Sequence, residues 1–285
     1  ETTAAPNDPL FSAQWALKNT GQNQGTAGID INYLPAREVT QGSSDIIVAV
    51  LDHGTQLDHP DLNVSSKSYD TETGRSPSQI WGNHGTACSG IISAKTNNNL
   101  GVAGIAPNCP VMSISNQLMG TSDAPQKRAD GFNWAWRNGA SVISNSWRSS
   151  TFSELLEDAI QSAMTNGRNG LGCVVTFSAG NYDSNTVGYP ARSLPDIIVV
   201  GALSLSGKRK SSTTIDNEGW WGSDYGTQLD IMAPGVLIYT TDRTGSVGYV
   251  SGDYMPNFNG TSSACPHVAG VAALILSVNP NLTQK

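Results

Sequence analysis

The chain has 285 residues, 38% of them hydrophobic and only 14% charged, with 30 glycines. That apolar share can build a sizeable core and excludes a disordered or collagen-like chain, and a net charge of −7 runs against a general nucleic-acid binder. The longest apolar run, residues 268–276, falls well short of the ~20 residues that cross a bilayer, so no membrane span is expected.

Residues 1–44 are rich in Asn, Gly, Gln, Thr and Pro and read as loop, with one short helix over 10–17. The continuous, branched apolar run 45–51 has the pattern of a strand buried on both faces. A helix over 86–94, a strand over 111–115, a helix over 130–138 and a strand over 142–147 follow. The next helix, 153–166, has Thr151 and Glu154 in capping-box spacing and Gly167 as its stop. Strands over 173–179, 197–203 and 229–232 precede a last helix over 262–277, ended by Pro280. This alternation predicts an α/β fold in one domain, with a mostly parallel sheet between helices. The cysteines Cys88, Cys109, Cys173 and Cys265 include no CxxC pair, so they suggest neither a disulfide scaffold nor a zinc site; their spacing leaves the redox state open. A start at Glu1 without an initiator Met reads as a processed product or a trimmed chain.

Ligands of a parallel sheet bind beyond the carboxyl ends of its strands. Asp52-His53-Gly54 follows the first strand, His84-Gly85-Thr86 opens a helix, Gly180-Asn181 follows the 173–179 strand, and Asn259-Gly260-Thr261-Ser262 leads into the last helix. A serine hydroxyl becomes a nucleophile when a base lies within hydrogen-bond reach and a third group orients that base. Asp52, His84 and Ser262 supply those types in the order Asp…His…Ser, one of the known triad orders. Singly, each has a plainer reading as a turn residue, a structural histidine or a helix cap. Together, at successive rim positions, they point to a triad.

The same residues carry a family resemblance. Val48-Ala49-Val50-Leu51-Asp52-His53-Gly54, Asp58-His59-Pro60-Asp61-Leu62, His84-Gly85-Thr86, Ser178-Ala179-Gly180-Asn181 and the segment from Gly260 to Gly270 resemble, in order, the motifs of the subtilisin-like serine peptidases. Gly101-Val102-Ala103-Gly104-Ile105-Ala106-Pro107, Thr186-Val187-Gly188-Tyr189-Pro190 and Met232-Ala233-Pro234-Gly235 extend the likeness from about Asn7 to the end. It implies the three-layer α/β/α subtilisin-like fold.

The resemblance also implies roles. Ser262 is the expected nucleophile, His84 the general base and then acid, Asp52 the orienter, and the Asn181 amide with the Ser262 N–H the oxyanion donors. Extended peptides are expected along 144–148, where Ser146 and Trp147 fit, with Ala179, Gly180 and Gly188 in the primary pocket; a plain core aromatic is the other reading of Trp147. Arg148 stands where the family usually has Gly, and His53 follows the Asp. The start Asn7-Asp8-Pro9-Leu10-Phe11 and the Ser146-Trp147 pair look kexin-like, yet the acids of that branch are missing at 148–150, so no dibasic preference is expected. Arg148 and His53 are expected to disfavour basic residues near the cleaved bond and to favour acidic or small ones; the other reading of Arg148 is that it points to solvent.

The segment 97–102 resembles the family's calcium loop, implying structural Ca2+ held by Asp8, Asp61, Asn98 and the carbonyls of Thr96, Leu100 and Val102; the alternative is an Asn-rich turn. Cys88 lies one helical turn after His84 and is expected to pack against it, while His59 and His267 are expected to be structural. The resulting reading is a secreted or cell-surface endopeptidase acting on proteins or peptides. The final helix of the family is expected to be missing, and an N-terminal propeptide or C-terminal remainder is an expected partner. A transpeptidase (macrocyclase) using the same acyl-enzyme and a catalytically silent binding module are the rival readings.

Overall fold

A computed structural model describes residues 4–216 and 218–285. Strands β1 (Ile47–Asp52), β2 (Tyr69–Asp70), β3 (Val111–Ser115), β4 (Ala140–Asn145), β5 (Val174–Ser178), β6 (Ile198–Leu203) and β7 (Ile231–Pro234) form one sheet in the order β2-β3-β1-β4-β5-β6-β7. Every neighbouring pair in it is parallel. A separate antiparallel pair joins β8 (Ile238–Thr241) to β9 (Tyr254–Phe258). The helices are α1 (Tyr33–Val39), α2 (His84–Ser93), α3 (Ala124–Arg137), α4 (Glu154–Gly170) and α5 (Thr261–Val278).

Alternation along β1 sets the layers. Val48 and Val50 face a core built with Ala87, Cys88 and Ile91 of α2 and Ala264, Ala269 and Ala273 of α5. Ala49 and Leu51 face the opposite core, with Phe132 of α3 and Ile160 of α4. A strand sends successive side chains to opposite faces, so Asp52 continues the Val48–Val50 row and looks toward α2 and α5. The chain order reverses at β1, which has β3 on one side and β4 on the other. Such a switch point opens a crevice at the strand ends, and Asp52 closes β1 at that point.

Helix α5 is long and apolar enough to resemble a membrane span, but 61% of it is buried inside the fold, as a core helix requires. The N-terminal segment is pinned by side chains that would otherwise be unsatisfied. Gln14 exchanges hydrogen bonds with the carbonyl and N–H of Ala103 (2.9 and 2.7 Å), and buried Trp15 donates Nε1 to the Val236 carbonyl (2.8 Å).

Several expectations need correction. The capping box of Thr151 and Glu154 does not form: Ser153, extended at φ −157°, is the N-cap and accepts the Leu156 N–H at 3.3 Å. Gly167 does end the regular part of α4, turning to ψ 157°. Helix α3 begins at Ala124 rather than 130, because Pro125 sits in the first turn, where its missing N–H costs nothing. Residues 10–17 hold only a 3-10 turn, Phe11–Ala13. The strand expected over 229–232 is β7, two residues later. The short elements α1, β2, β8 and β9 have no counterpart in the sequence reading.

Candidate active site

Asp52 is completely buried, yet its carboxylate is fully engaged. Both oxygens lie 2.9 Å from Nδ1 of His84, which opens α2, and Oδ1 also accepts the His53 N–H at 2.7 Å. A carboxylate only accepts, so the His84 proton on that side sits on Nδ1 and leaves Nε2 to the solvent-facing edge. The His84 side chain is 19% exposed. Burial alone would lower its affinity for a proton; the Asp52 charge and hydrogen bond outweigh burial and hold His84 well above the ordinary histidine range. Phe258 and His53 pack edge-on against the imidazole, with ring centroids 5.3 and 6.1 Å away. The His53 ring itself lies over Gly82, where a Cβ would come within 2.8 Å of Nδ1, and Nε2 reaches the Gln117 carbonyl at 3.2 Å.

Ser262 is the second residue of α5. Pro266, four residues on, has no N–H to give, so the Ser262 carbonyl lacks its partner inside the helix. It accepts instead from Ser146 Oγ (2.9 Å) and Cys88 Sγ (3.6 Å). The Ser262 hydroxyl in turn donates to the Ser146 carbonyl at 3.3 Å rather than to His84. Cys88 Sγ also lies 3.7 Å from His84 Nδ1 and 3.9 Å from Asp52 Oδ2, so one thiol touches all three candidate residues. Burial pushes that thiol up, keeping it protonated and a packing group. All four cysteines are free and buried.

Asn181 follows β5 through Gly180. Its Oδ1 accepts both the main-chain N–H and the hydroxyl of Thr261, at 2.8 and 2.9 Å. Among the described residues, Asn181 Nδ2 and the Ser262 N–H make no hydrogen bond, so two donors remain beside the hydroxyl. Gly260 keeps them uncovered: it sits at φ +102°, and a Cβ there would lie 3.1 Å from Asn181 Nδ2. Gly180 is fixed for a similar reason, at φ +119° with Asp224 Oδ2 only 2.1 Å from where a Cβ would be.

The other expected substrate residues divide. Ala179 is fully buried; its N–H donates to the Val200 carbonyl and its carbonyl accepts the Gly188 N–H. Trp147 is 6% exposed and packs edge-on against Phe177, so its side chain is a core aromatic. Arg148 and Gly188 line one cavity, with Arg192, Tyr182 and Asp224. Asp224 was not foreseen: it lies 44 residues after Gly180 in the chain, and only the fold brings them together.

Asp8, Asp61 and Asn98 meet in a second place. Asn98 Nδ2 donates to Asp61 Oδ1 (2.7 Å), and the N–H groups of Asn97 and Asn98 reach the Asp8 carboxylate (3.0 and 3.3 Å). The Val102 N–H reaches Asp61 Oδ2 at 3.2 Å. Both carboxylates are buried, 4% and 0% exposed, and neither has an ion-pair partner among the described residues. Burial pushes the Asp61 carboxyl up to about 6. The carbonyls of Thr96, Leu100 and Val102 accept no hydrogen bond among the described residues. Two uncompensated buried acids with uncommitted carbonyls beside them form a hard-oxygen donor set that fits a calcium ion.

A parallel α/β/α sandwich carrying a buried Asp–His pair and a serine at a helix start defines the class of α/β proteins with a serine-centred site. The subtilase family matches over residues 43–285, and the chain belongs to that family. It is 35% identical to a calcium-dependent protease of Trichormus variabilis, over 95% of this chain and 44% of that protein. It is 37% identical to subtilisin E of Bacillus subtilis, over 84% of this chain and 58% of the relative. Among solved structures, a protease of Pseudoalteromonas arctica superposes with a TM-score of 0.77 at 28% identity, covering 99% of this chain and 89% of that one. The serine protease of Aeromonas sobria gives 0.82 at 25% identity, covering 99% and 57%. The chain thus spans about half the length of these curated relatives.

Proposed function

We propose that this chain is a serine endopeptidase that cleaves peptide bonds of proteins through an acyl-enzyme, with Asp52, His84 and Ser262 as its triad. The observation that carries the reading is the two-oxygen grip of Asp52 on His84 Nδ1, with Ser262 joined to the same pair through Cys88. In the reaction, Ser262 Oγ leaves the Ser146 carbonyl, gives its proton to His84 Nε2 and attacks the substrate carbonyl carbon. Asp52 stabilises the imidazolium. The oxyanion receives the Asn181 amide and the Ser262 N–H, at the positive end of α5. His84 then returns the proton to the departing amine, and a water repeats the sequence on the acyl-enzyme. The peptide lies extended along 144–148, paired through main chain. A secreted or cell-surface location goes with this activity.

A fluorophosphonate probe tests the reading: the parent chain is expected to label at Ser262 and hydrolyse casein, and Ser262→Ala to do neither while keeping its melting temperature. A folded parent that neither labels nor cleaves would leave a silent binding module.

Calcium is a structural ligand in this proposal. Asp8, Asp61, Asn98 and the carbonyls of Thr96, Leu100 and Val102 would hold it, and its charge would relieve the two buried acids. The names of the Trichormus and Nostoc relatives, calcium-dependent proteases, support it. Chelation is expected to lower the melting temperature of the parent and not of an Asp61→Asn variant; equal shifts in both would refute the site.

A further inference from the structure

Three residues past β4, Arg148 lines a cavity of about 640 Å3. Its guanidinium lies 3.8 Å from the centre of the Tyr182 ring, and its stem rests on Gly188, where a Cβ would come within 3.2 Å of the Arg148 Cβ. The Ser149 N–H, donated to the Tyr189 carbonyl at 2.8 Å, ties the two walls together. Arg192 lines the same space, and the one carboxylate among its lining residues is Asp224. That carboxylate is 1% exposed, and its Oδ1 already accepts the N–H groups of Tyr182 and Ser184 at 2.8 and 2.9 Å. Neither arginine forms an ion pair among the described residues. Two cations thus face one engaged anion, which leaves the cavity positive. Its lining also adjoins the candidate site along the chain: Arg148 stands two residues after Ser146, which is hydrogen-bonded to Ser262, and Tyr182 directly follows Asn181.

We infer that this cavity is the primary specificity pocket and takes an acidic side chain, so that the preferred bond follows Glu or Asp and Lys or Arg is disfavoured there. The inference rests on the peptidase reading above and names its substrate class. A guanidinium stacked on an aromatic face keeps its planar edge oriented, and that edge matches a carboxylate with two parallel hydrogen bonds. The cavity volume is ample for a glutamate side chain. Both arginines reach solvent, so screening limits the effect and makes it depend on salt.

The test uses the full chain, first titrated with the fluorophosphonate probe, and peptides identical except for Glu, Gln, Phe or Lys before the cleaved bond. At pH 7.5 and low salt, kcat/KM for Glu is expected to exceed that for Gln by roughly tenfold, with Lys below both. The Glu-to-Gln ratio is expected to approach one in Arg148→Met, to stay intermediate in Arg148→Lys, and to fall as salt rises. Because the ratio compares two peptides on one protein, a partly folded variant does not distort it. A ratio near one, or a preference for Lys, in parent protein that labels normally would overturn the inference and leave the peptidase standing. Absence of labelling would overturn both.

Discussion

Ser146 and Ser262 hold each other: the hydroxyl of each donates to the main-chain carbonyl of the other, at 2.9 and 3.3 Å. The exchange exists because Pro266 leaves the Ser262 carbonyl without a helical partner. Ser146→Ala is therefore expected to strand that carbonyl on the weak Cys88 thiol and to cost about 1 kcal/mol. Thermal unfolding should register this as a drop of a few degrees, and an unchanged melting temperature would contradict it.

Asn181 is oriented by Thr261 and leaves only its amide N–H groups for a ligand. Asn181→Leu is expected to lower kcat by about 10²–10³ with little change in KM, the scale found for losing one such donor in a related subtilisin. A fall confined to KM would place the amide in ground-state binding instead.

Asp52 raises the proton affinity of His84, and only neutral His84 can act as base. Activity of the parent is thus expected to be lost as pH falls through a histidine pKa lying above the ordinary ~6.5. Asp52→Asn removes the charge. Its acid limb should move to lower pH while kcat drops by roughly 10⁴, the scale for orienting carboxylates in other triads. A pH–rate profile of both proteins decides; coincident acid limbs would deny the electrostatic coupling.

His267 is buried in α5, donates Nδ1 to the Ser263 carbonyl at 2.7 Å, and is lowered to about 4 by desolvation. A folded pKa below the unfolded one means that the unfolded chain takes up the proton first. This contribution to stability is full above about pH 6.5, declines as pH falls, and is lost by about 4, amounting to about 3 kcal/mol. Urea titrations at pH 7, 5.5 and 4 are expected to show a steeper acid loss for the parent than for His267→Gln. Parallel losses would assign the acid sensitivity to other groups.

The site's residue types are legible in the sequence, because strand ends and helix starts announce themselves locally. The run 45–51 is β1 to within two residues at either end, and Asp52, His84, Asn181 and Ser262 all fall at such boundaries. The misread parts were those decided by competing local choices. Ser153 rather than Thr151 caps α4, because the residue that adopts extended backbone next to the first turn wins the N–H. The pairs β8–β9 and β2 are too short to carry a pattern.

By itself, the amino-acid sequence determined the strand–helix alternation, the chemistry placed at the sheet rim and the family. Those depend on side-chain type and on spacing within a few residues. Only the tertiary structure decided that the Ser262 hydroxyl rests on Ser146, that Cys88 touches all three candidate catalytic residues, and that Arg148 shares a cavity with Arg192 over a buried Asp224. Apart from Cys88 and His84, which one helical turn brings together, such contacts join residues dozens of positions apart. They are set by how helices pack on a twisted sheet, and no local preference in the chain encodes them.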